Sequence, residues 1–448
     1  MTETNFNDPR FPSRNPWLWV PTLYFVEGIP YFLVNNISVL MFARMGVPNG
    51  QMALFTSLLY LPWTFKFLWS PFVDIIKTKR WWIIAMQAIM SAAFIILTLT
   101  LPHPSAEQVA SGTTPMKLFS FTLIMFVFAA FASATHDISA DGFYMLGLNH
   151  KTQAAFVGIR STFYRIANVF GNGVIVAAAG ILETKTGNIP LAWQITLGGS
   201  SILLALLTVY HAFSIPKAQG DVSHVEGAKG NMAKAIFSEF GRTVKTYFVK
   251  PGIWLGIAFM LVYRLPEAFL LKLCTPFLVA PVNVGGLGMQ TAEVGLAYGT
   301  VGVIFLTVGG ILGGIWISRR GLKNSLWLMT ACMTLPCLSF VYLSMFQPSN
   351  LAIISIAIAI EQFGYGFGFT AYMMYMMYMS EGEFKTSHYA FCTCFMALSM
   401  MIPGMVAGYL QEWLGYKLFF WMVILTCAAP VAITLIAHNR IDPNYGRK

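Results

Sequence analysis

The stretch Phe131-Ala-Ser-Ala-Thr-His-Asp-Ile-Ser-Ala-Asp-Gly-Phe-Tyr144 places two acids four residues apart in a segment otherwise apolar enough to lie in a membrane. At helical spacing Asp137 and Asp141 share one face, with Ser133 one turn earlier. An acid facing hydrocarbon is costly, so this face must meet water, a cation or a substrate. The rest of the chain has the composition to build such a place. Of its 448 residues 56% are hydrophobic and 10% charged, with a mean hydropathy of +0.64. Soluble domains are about one quarter charged.

Apolar segments of roughly 20 residues recur from Trp17 to Ala437, each long enough to cross a hydrocarbon core of about 30 Å. The pattern predicts an all-α membrane protein of twelve transmembrane helices, over approximately 17–41, 50–73, 80–101, 117–144, 154–180, 192–214, 251–280, 292–316, 325–346, 351–379, 388–411 and 417–437. The domain organisation follows. A tail (1–16) leads into a six-helix half (17–214), a polar linker (215–250), a second six-helix half (251–437) and a closing tail (438–448). The first sixteen residues are polar and proline-rich, so the first span is expected to be kept rather than cleaved as a signal peptide.

Nineteen basic residues fall in loops and tails on the side of the N-terminus and four on the other side. By the positive-inside rule both termini are cytoplasmic. The net charge of +10 is thereby a matter of membrane topology, and no nucleic acid is expected as a partner. The six cysteines all lie in apolar segments, with no zinc spacing; neither metal nor cofactor is expected. No Walker loop, H-E-x-x-H or G-x-S-x-G occurs, which argues against ATP-driven transport and hydrolase chemistry. A membrane-bound acyltransferase or sensor would need a clustered nucleophile and base, and the seven histidines are scattered. Gly364-Tyr-Gly-Phe-Gly368 follows no strand and reads as close helix packing.

The linker ends in an amphipathic pattern, with Ile236, Phe237, Phe240, Val244 and Phe248 on one side and Lys234, Arg242 and Lys245 elsewhere. A helix lying on the inner leaflet is expected there. The halves also echo one another. Trp69-Ser-Pro-Phe-Val-Asp74 with Lys77, Lys79 and Arg80 follows the second span, and Gly314-Ile-Trp-Ile-Ser-Arg-Arg-Gly-Leu-Lys323 follows the eighth. The latter resembles the G-x-x-x-D-R-x-G-R-K loop of the major facilitator superfamily, with Ser318 in place of the acid and Arg319 and Arg320 in a gating or structural position. That resemblance implies two pseudo-symmetric six-helix halves.

Within the spans stand five acids, Glu27, Asp137, Asp141, Glu267 and Glu361, and five bases, Lys66, Arg160, Arg165, Arg264 and Lys272. Near-neutrality is what a low-dielectric interior favours. Counted from the cytoplasmic ends at 1.5 Å per residue, Asp141 and Arg160 lie about 8 and 9 Å deep, and Asp137 and Arg165 about 14 and 16 Å. The depths pair Asp141 with Arg160 and Asp137 with Arg165. Ser161, Arg165, Asn168 and Asn172 form a polar stripe at i, i+4, i+7 and i+11. Arg160 is turned away from it and is expected to be structural. Arg264 and Glu267, three residues apart, pair within a turn or point together to the cavity. Lys66 and Asp74 suit a structural or gating pair near the inner surface, and Lys272 is expected to snorkel at the outer interface. The acids come from the first, fourth, seventh and tenth spans, and all five are candidates for proton coupling.

Lys66-Phe-Leu-Trp-Ser-Pro-Phe-Val-Asp74, Ser133-Ala-Thr-His-Asp-Ile-Ser-Ala-Asp141, Tyr164-Arg165, Tyr263-Arg-Leu-Pro-Glu-Ala-Phe269 and Glu361-Gln362 with the glycine run resemble the AmpG-type muropeptide permeases, kin of acetyl-CoA transporters. The resemblance covers nearly all twelve spans. It implies a monomeric, proton-driven importer of muropeptides or related N-acetylamino-sugar conjugates in a bacterial inner membrane, working by alternating access. Asp137, Asp141, Arg165, Arg264, Glu267 and Glu361 match the family's polar positions. Asp137 or Asp141 would carry the proton, while Arg165 and Arg264, with Asn168, Asn172 and Gln362, would hold substrate. Glu27 stands where the family has a small or neutral residue, and the eleventh span, around Ala397-Leu-Ser-Met-Met-Ile-Pro-Gly404, lacks an arginine that members can carry. Both departures make the cavity less positive, so a proton-coupled symporter of a neutral sugar or oligosaccharide is the alternative.

Overall fold

A backbone in hydrocarbon must satisfy its own hydrogen bonds, and an apolar run of this length does so as a helix. The structure is a computed structural model describing residues 14–148, 150–218, 221, 231–381, 385–443 and 445, which contain helices and no strand. Ten stretches are long and apolar enough to cross a membrane: Pro16–Arg44, Lys79–Leu99, Met116–Gly147, Thr162–Thr186, Ile189–Ser214, Ile253–Val279, Thr291–Arg320, Leu322–Phe346, Leu351–Ser380 and His388–His438. The last, of 51 residues, reverses at Gly415, whose φ of 71° suits glycine, and so supplies two spans. Helical turns over 49–76 supply the remaining one and complete the expected twelve. This second span is broken rather than continuous. Pro62 and Pro71 each open a new segment, Leu61–Phe65 and Ser70–Ile76, with a 3-10 turn, Lys66–Leu68, between them.

The outer surface is apolar: Leu99, Phe213 and Leu425 are each more than 70% exposed, as lipid-facing side chains are. Three spans widen into π-helical turns, at Leu33–Ile37, Val169–Ile175 and Gly295–Gly302. Such turns re-aim side chains and cluster at functional sites. Here they lie on the first, fifth and eighth spans.

The two halves meet backbone to backbone at the end of the bundle away from the basic loops. A Cβ at Gly299 of the eighth span would collide with the Asn172 carbonyl oxygen of the fifth, and one at Gly408 of the eleventh with the Asn49 carbonyl oxygen of the second. Under the two-fold relation of the halves these contacts are equivalent. Side chains fasten both. Glu183 Oε2 accepts from Thr291 Oγ1 at 2.7 Å across the halves and from Arg44 Nη2 at 2.9 Å, while its Oε1 accepts from Trp193 Nε1 at 2.9 Å. Asn49 Nδ2 donates to Gln411 Oε1 at 2.7 Å and to the Tyr416 hydroxyl at 2.9 Å. Glu183 lies just past the expected end of the fifth span at 180, which is why its role as a buried fastener was not anticipated. Gly299→Val should prop this end open. Labelling of a cysteine at Thr291, a position 1% exposed, by a water-soluble maleimide should then rise severalfold; an unchanged rate would show that the glycine contact does not control closure.

The linker helix, Asn231–Phe248, differs from expectation. Its described apolar residues pack on protein rather than on the leaflet. Phe240 stacks against Phe67 at 6.4 Å between ring centroids, and Tyr247 meets Phe391 at 5.2 Å. Phe67, in the 3-10 turn that breaks the second span, forms part of that surface together with Phe391. Arg242 and Lys245 are exposed. The side chains of Lys234, Ile236 and Phe237 lie outside the described residues, as do residues 1–13 of the N-terminal tail and 222–230 of the linker.

Candidate substrate site

Between the halves lies a cavity of about 550 Å³. Its wall draws on the first, second, fourth, fifth, seventh, eighth, tenth and eleventh spans. The third, sixth, ninth and twelfth contribute none of the lining, the same omission in each half. Tyr31, Trp63, Tyr164, Tyr298 and Tyr365 give it aromatic faces, and Asn36, Asn168, Asn172 and Gln362 give it amides. Flat apolar rings beside amide donors and acceptors suit a ligand that has both apolar faces and hydroxyl or amide edges.

The first half contributes charge through three residues. Asp137 accepts a hydrogen bond from Lys66 Nζ, and Glu27 stands beside them on the same wall, its Oε2 without a hydrogen-bond partner. Asp137 is thus paired with Lys66 rather than with Arg165. Lys66, in the 3-10 turn at 66–68, meets Asp137 of the fourth span; its expected pairing with Asp74 falls outside the described residues. Arg165 is exposed and does not line the cavity. The fifth span presents Tyr164, Asn168 and Asn172, so two residues of the expected polar stripe, Asn168 and Asn172, do line the cavity, whereas Arg165 does not. The Ser161 side chain lies outside the described residues.

Asp141 keeps the partner its depth indicated. Its Oδ1 accepts from Arg160 Nη2 at 2.6 Å and from the Tyr24 hydroxyl at 3.1 Å, and the Arg160 guanidinium lies 4.4 Å from the centre of the Tyr24 ring. This group stands off the cavity wall, one turn from Asp137. His136 points into the half itself, in a buried chain with Gln87, His211 and Thr22, and serves packing there.

In the second half Arg264 occupies the break between Ile253–Val262 and Leu265–Val279, where Pro266 opens the new helix. Its Nη2 donates to Glu267 Oε1 at 2.8 Å and to the Tyr365 hydroxyl at 3.0 Å, and its Nε to Glu267 Oε2 at 3.2 Å. The guanidinium lies 4.7 Å from the Phe369 ring centre. Arg264 lines the cavity, whereas Glu267, 2% exposed, backs it from behind. Glu361 also stands off the wall. It is buried and accepts from Gln362 Nε2 at 2.8 Å, while Gln362 itself reaches the cavity. Arg319 and Arg320 lie in the last turn of the eighth span, not in the loop after it, and Arg320 rests on Trp316 at 4.4 Å. Lys272 does not snorkel: it is 9% exposed and faces inward. The aromatic wall was the part not named from the sequence, although Tyr164 and Tyr365 sit beside motif residues at wall spacing.

The comparisons agree with this arrangement. The sequence profile of the Major Facilitator Superfamily matches residues 22–387. The chain is similar to the anhydromuropeptide permease of Escherichia coli (strain K12), at 23% identity over 435 residues, which are 94% of this chain and 81% of that protein. It is similar also to the putative transporter AmpG 4 of Rickettsia conorii, at 23% identity over 431 residues, 93% of this chain and 95% of the relative. In structure it resembles a POT family transporter solved in complex with 5-aminolevulinic acid, with a TM-score of 0.65, 14% identity and coverage of 96% of this chain and 98% of the other. These likenesses are to permeases and transporters, not to the membrane-bound acyltransferase considered as an alternative. A multi-pass membrane protein with a solute cavity between two matched halves, the chain belongs to the Major Facilitator Superfamily and is a secondary transporter of a small molecule.

Proposed function

We propose that this protein is a proton-coupled importer of muropeptides or related N-acetylamino-sugar conjugates. The observation that carries this reading is the division of labour across the cavity. The first half offers a cluster of two carboxyls and one ammonium, Glu27, Asp137 and Lys66, and the second half offers Arg264 on an aromatic and amide wall. One ammonium compensates one carboxylate, so a second negative charge in the cluster needs a proton or a ligand. The Asp141 and Arg160 pair, one turn away, holds the fourth and fifth spans in register. Glu267 keeps Arg264 in place, and Glu361 orients Gln362.

The halves, 17–214 and 251–437, move against one another with the 215–250 linker as tether. The positive-inside rule places the basic loops and both termini in the cytoplasm of a bacterium's inner membrane. The glycine contacts then close the outer end, so the structure is a state shut to the outside. Each chain contains a whole cavity, which suits a monomer. The similarity to the anhydromuropeptide permease supplies the substrate class.

One observation favours a second reading. Lys66 and Arg264 are both engaged by acids, which leaves a nearly neutral wall suited to an uncharged sugar or oligosaccharide. Competition in proteoliposomes separates the two. Uptake of a labelled N-acetylglucosaminyl-anhydromuramyl peptide should be reduced more than tenfold by unlabelled muropeptide and little by equal concentrations of neutral disaccharide. The reverse order would establish the sugar carrier.

A further inference from the structure

Beyond Tyr60 and Tyr298 the main cavity continues into a smaller one of about 80 Å³, toward the end closed by the glycine contacts. The two share Asn36, Tyr60, Asn172 and Tyr298 among their lining. The smaller space holds an unusual set of groups. Lys272 is 9% exposed, and its Nζ has no hydrogen-bond partner. Among the described residues it is the buried lysine or arginine whose nitrogen is left in this state. Ser57, 1% exposed, and Asn35, 3% exposed, line the same space, and the Ser57 Oγ and Asn35 Oδ1 also lack partners. Gly404 keeps the space open from the eleventh span, where a Cβ would stand 2.6 Å from Ser57 Oγ.

A buried ammonium without a partner is costly, and it is retained where something binds it. Lys66, Arg160 and Arg264 each hold a carboxylate already. We propose that Lys272, with the Ser57 hydroxyl and the Asn36 amide, forms a subsite for a carboxylate of the transported molecule. The ammonium supplies up to three donors and the hydroxyl one more, and the volume admits a terminal acidic group rather than a ring. Lys272 lies eight residues after Arg264, about 12 Å further along the axis of the helix that Arg264 caps. The ligand is therefore elongated, with its saccharide or peptide body among the aromatic residues near Arg264 and an acidic end beyond Tyr60 and Tyr298. This rests on the transporter reading above and narrows it to an acid-bearing substrate.

The test uses two forms of one labelled disaccharide peptide, with a free terminal carboxylate and with that carboxylate amidated, and the full-length protein in proteoliposomes. The wild type should carry the acid at least tenfold more efficiently than the amide, because a site built for a charged group rejects the analogue that leaves its donors unpaired. Lys272→Met should abolish that difference, and Ser57→Ala should reduce it severalfold. A wild type that carries both forms equally, or a Lys272→Met protein that keeps the tenfold preference, overturns the subsite while transport itself stands. A folded wild type that carries neither form overturns the muropeptide reading and the subsite with it. The wild-type comparison decides the matter even if a variant fails to fold.

Discussion

Arg264→Met should be the most damaging single change to stability in the cavity. Arg264 and Glu267 are 5% and 2% exposed, and the substitution leaves a buried carboxylate with no cation. Breaking a buried pair from one side costs about 3–5 kcal/mol. Thermal unfolding in detergent should show that loss, and Arg264→Met with Glu267→Gln should regain most of it, since the double change removes the stranded charge along with its partner. Transport should not return in the double variant, because Arg264 also faces the substrate. Equal stability of the single and double variants would mean that the pair is not coupled as its geometry implies.

Asp137→Asn should separate coupling from substrate passage. Glu27 stands on the same wall as the Asp137 and Lys66 pair, and with an amide at position 137 the ammonium can compensate the remaining carboxylate without a proton. A gradient of 100 mV supplies about 2.3 kcal/mol per proton, or accumulation of roughly fifty-fold at 1.4 kcal/mol per decade. In the variant accumulation should fall to about the external concentration, while exchange of labelled for unlabelled substrate continues. Glu27→Gln should act in the same direction, since Glu27 is the second carboxyl of the same cluster. Asp141→Asn should instead impair folding or helix register, because Asp141 is held by Arg160 and Tyr24 away from the cavity. Undiminished accumulation in both Asp137→Asn and Glu27→Gln would remove the cluster from the coupling path.

How much of this was legible in the sequence depends on the range of the interaction. Apolar length and the distribution of lysine and arginine are summed over whole segments, so they survive errors of a few residues, and twelve spans in two halves could be read from them. The Asp141 and Arg160 pair was legible because both helices run regularly between those residues and depth alone matched them. The Asp137 partner was not. It depends on the local 3-10 turn at Lys66–Leu68, which changes both the depth and the azimuth of Lys66, and periodicity assumes neither change.

The place of Arg165 was not legible for a similar reason. Asn168 and Asn172 of the expected stripe line the cavity, while Arg165, on the turn before them, is exposed outside its wall. Depth counting placed Lys272 near an interface, but only packing of the second and eleventh spans over it shows that it is buried. Aromatic wall residues went unnamed because tyrosine and tryptophan are equally at home in a helix interface, and sequence pattern does not separate the two settings.

On the proposed function substrate and proton move together through this cavity. The most direct test is simultaneous recording of labelled muropeptide uptake and external pH in proteoliposomes of the wild-type protein without an imposed ion gradient. Inward substrate flux should make the outside more alkaline in proportion to uptake, and with a proton gradient then imposed a protonophore should abolish accumulation. Substrate entry with no movement of protons, or accumulation that persists after the proton gradient is collapsed, would contradict it.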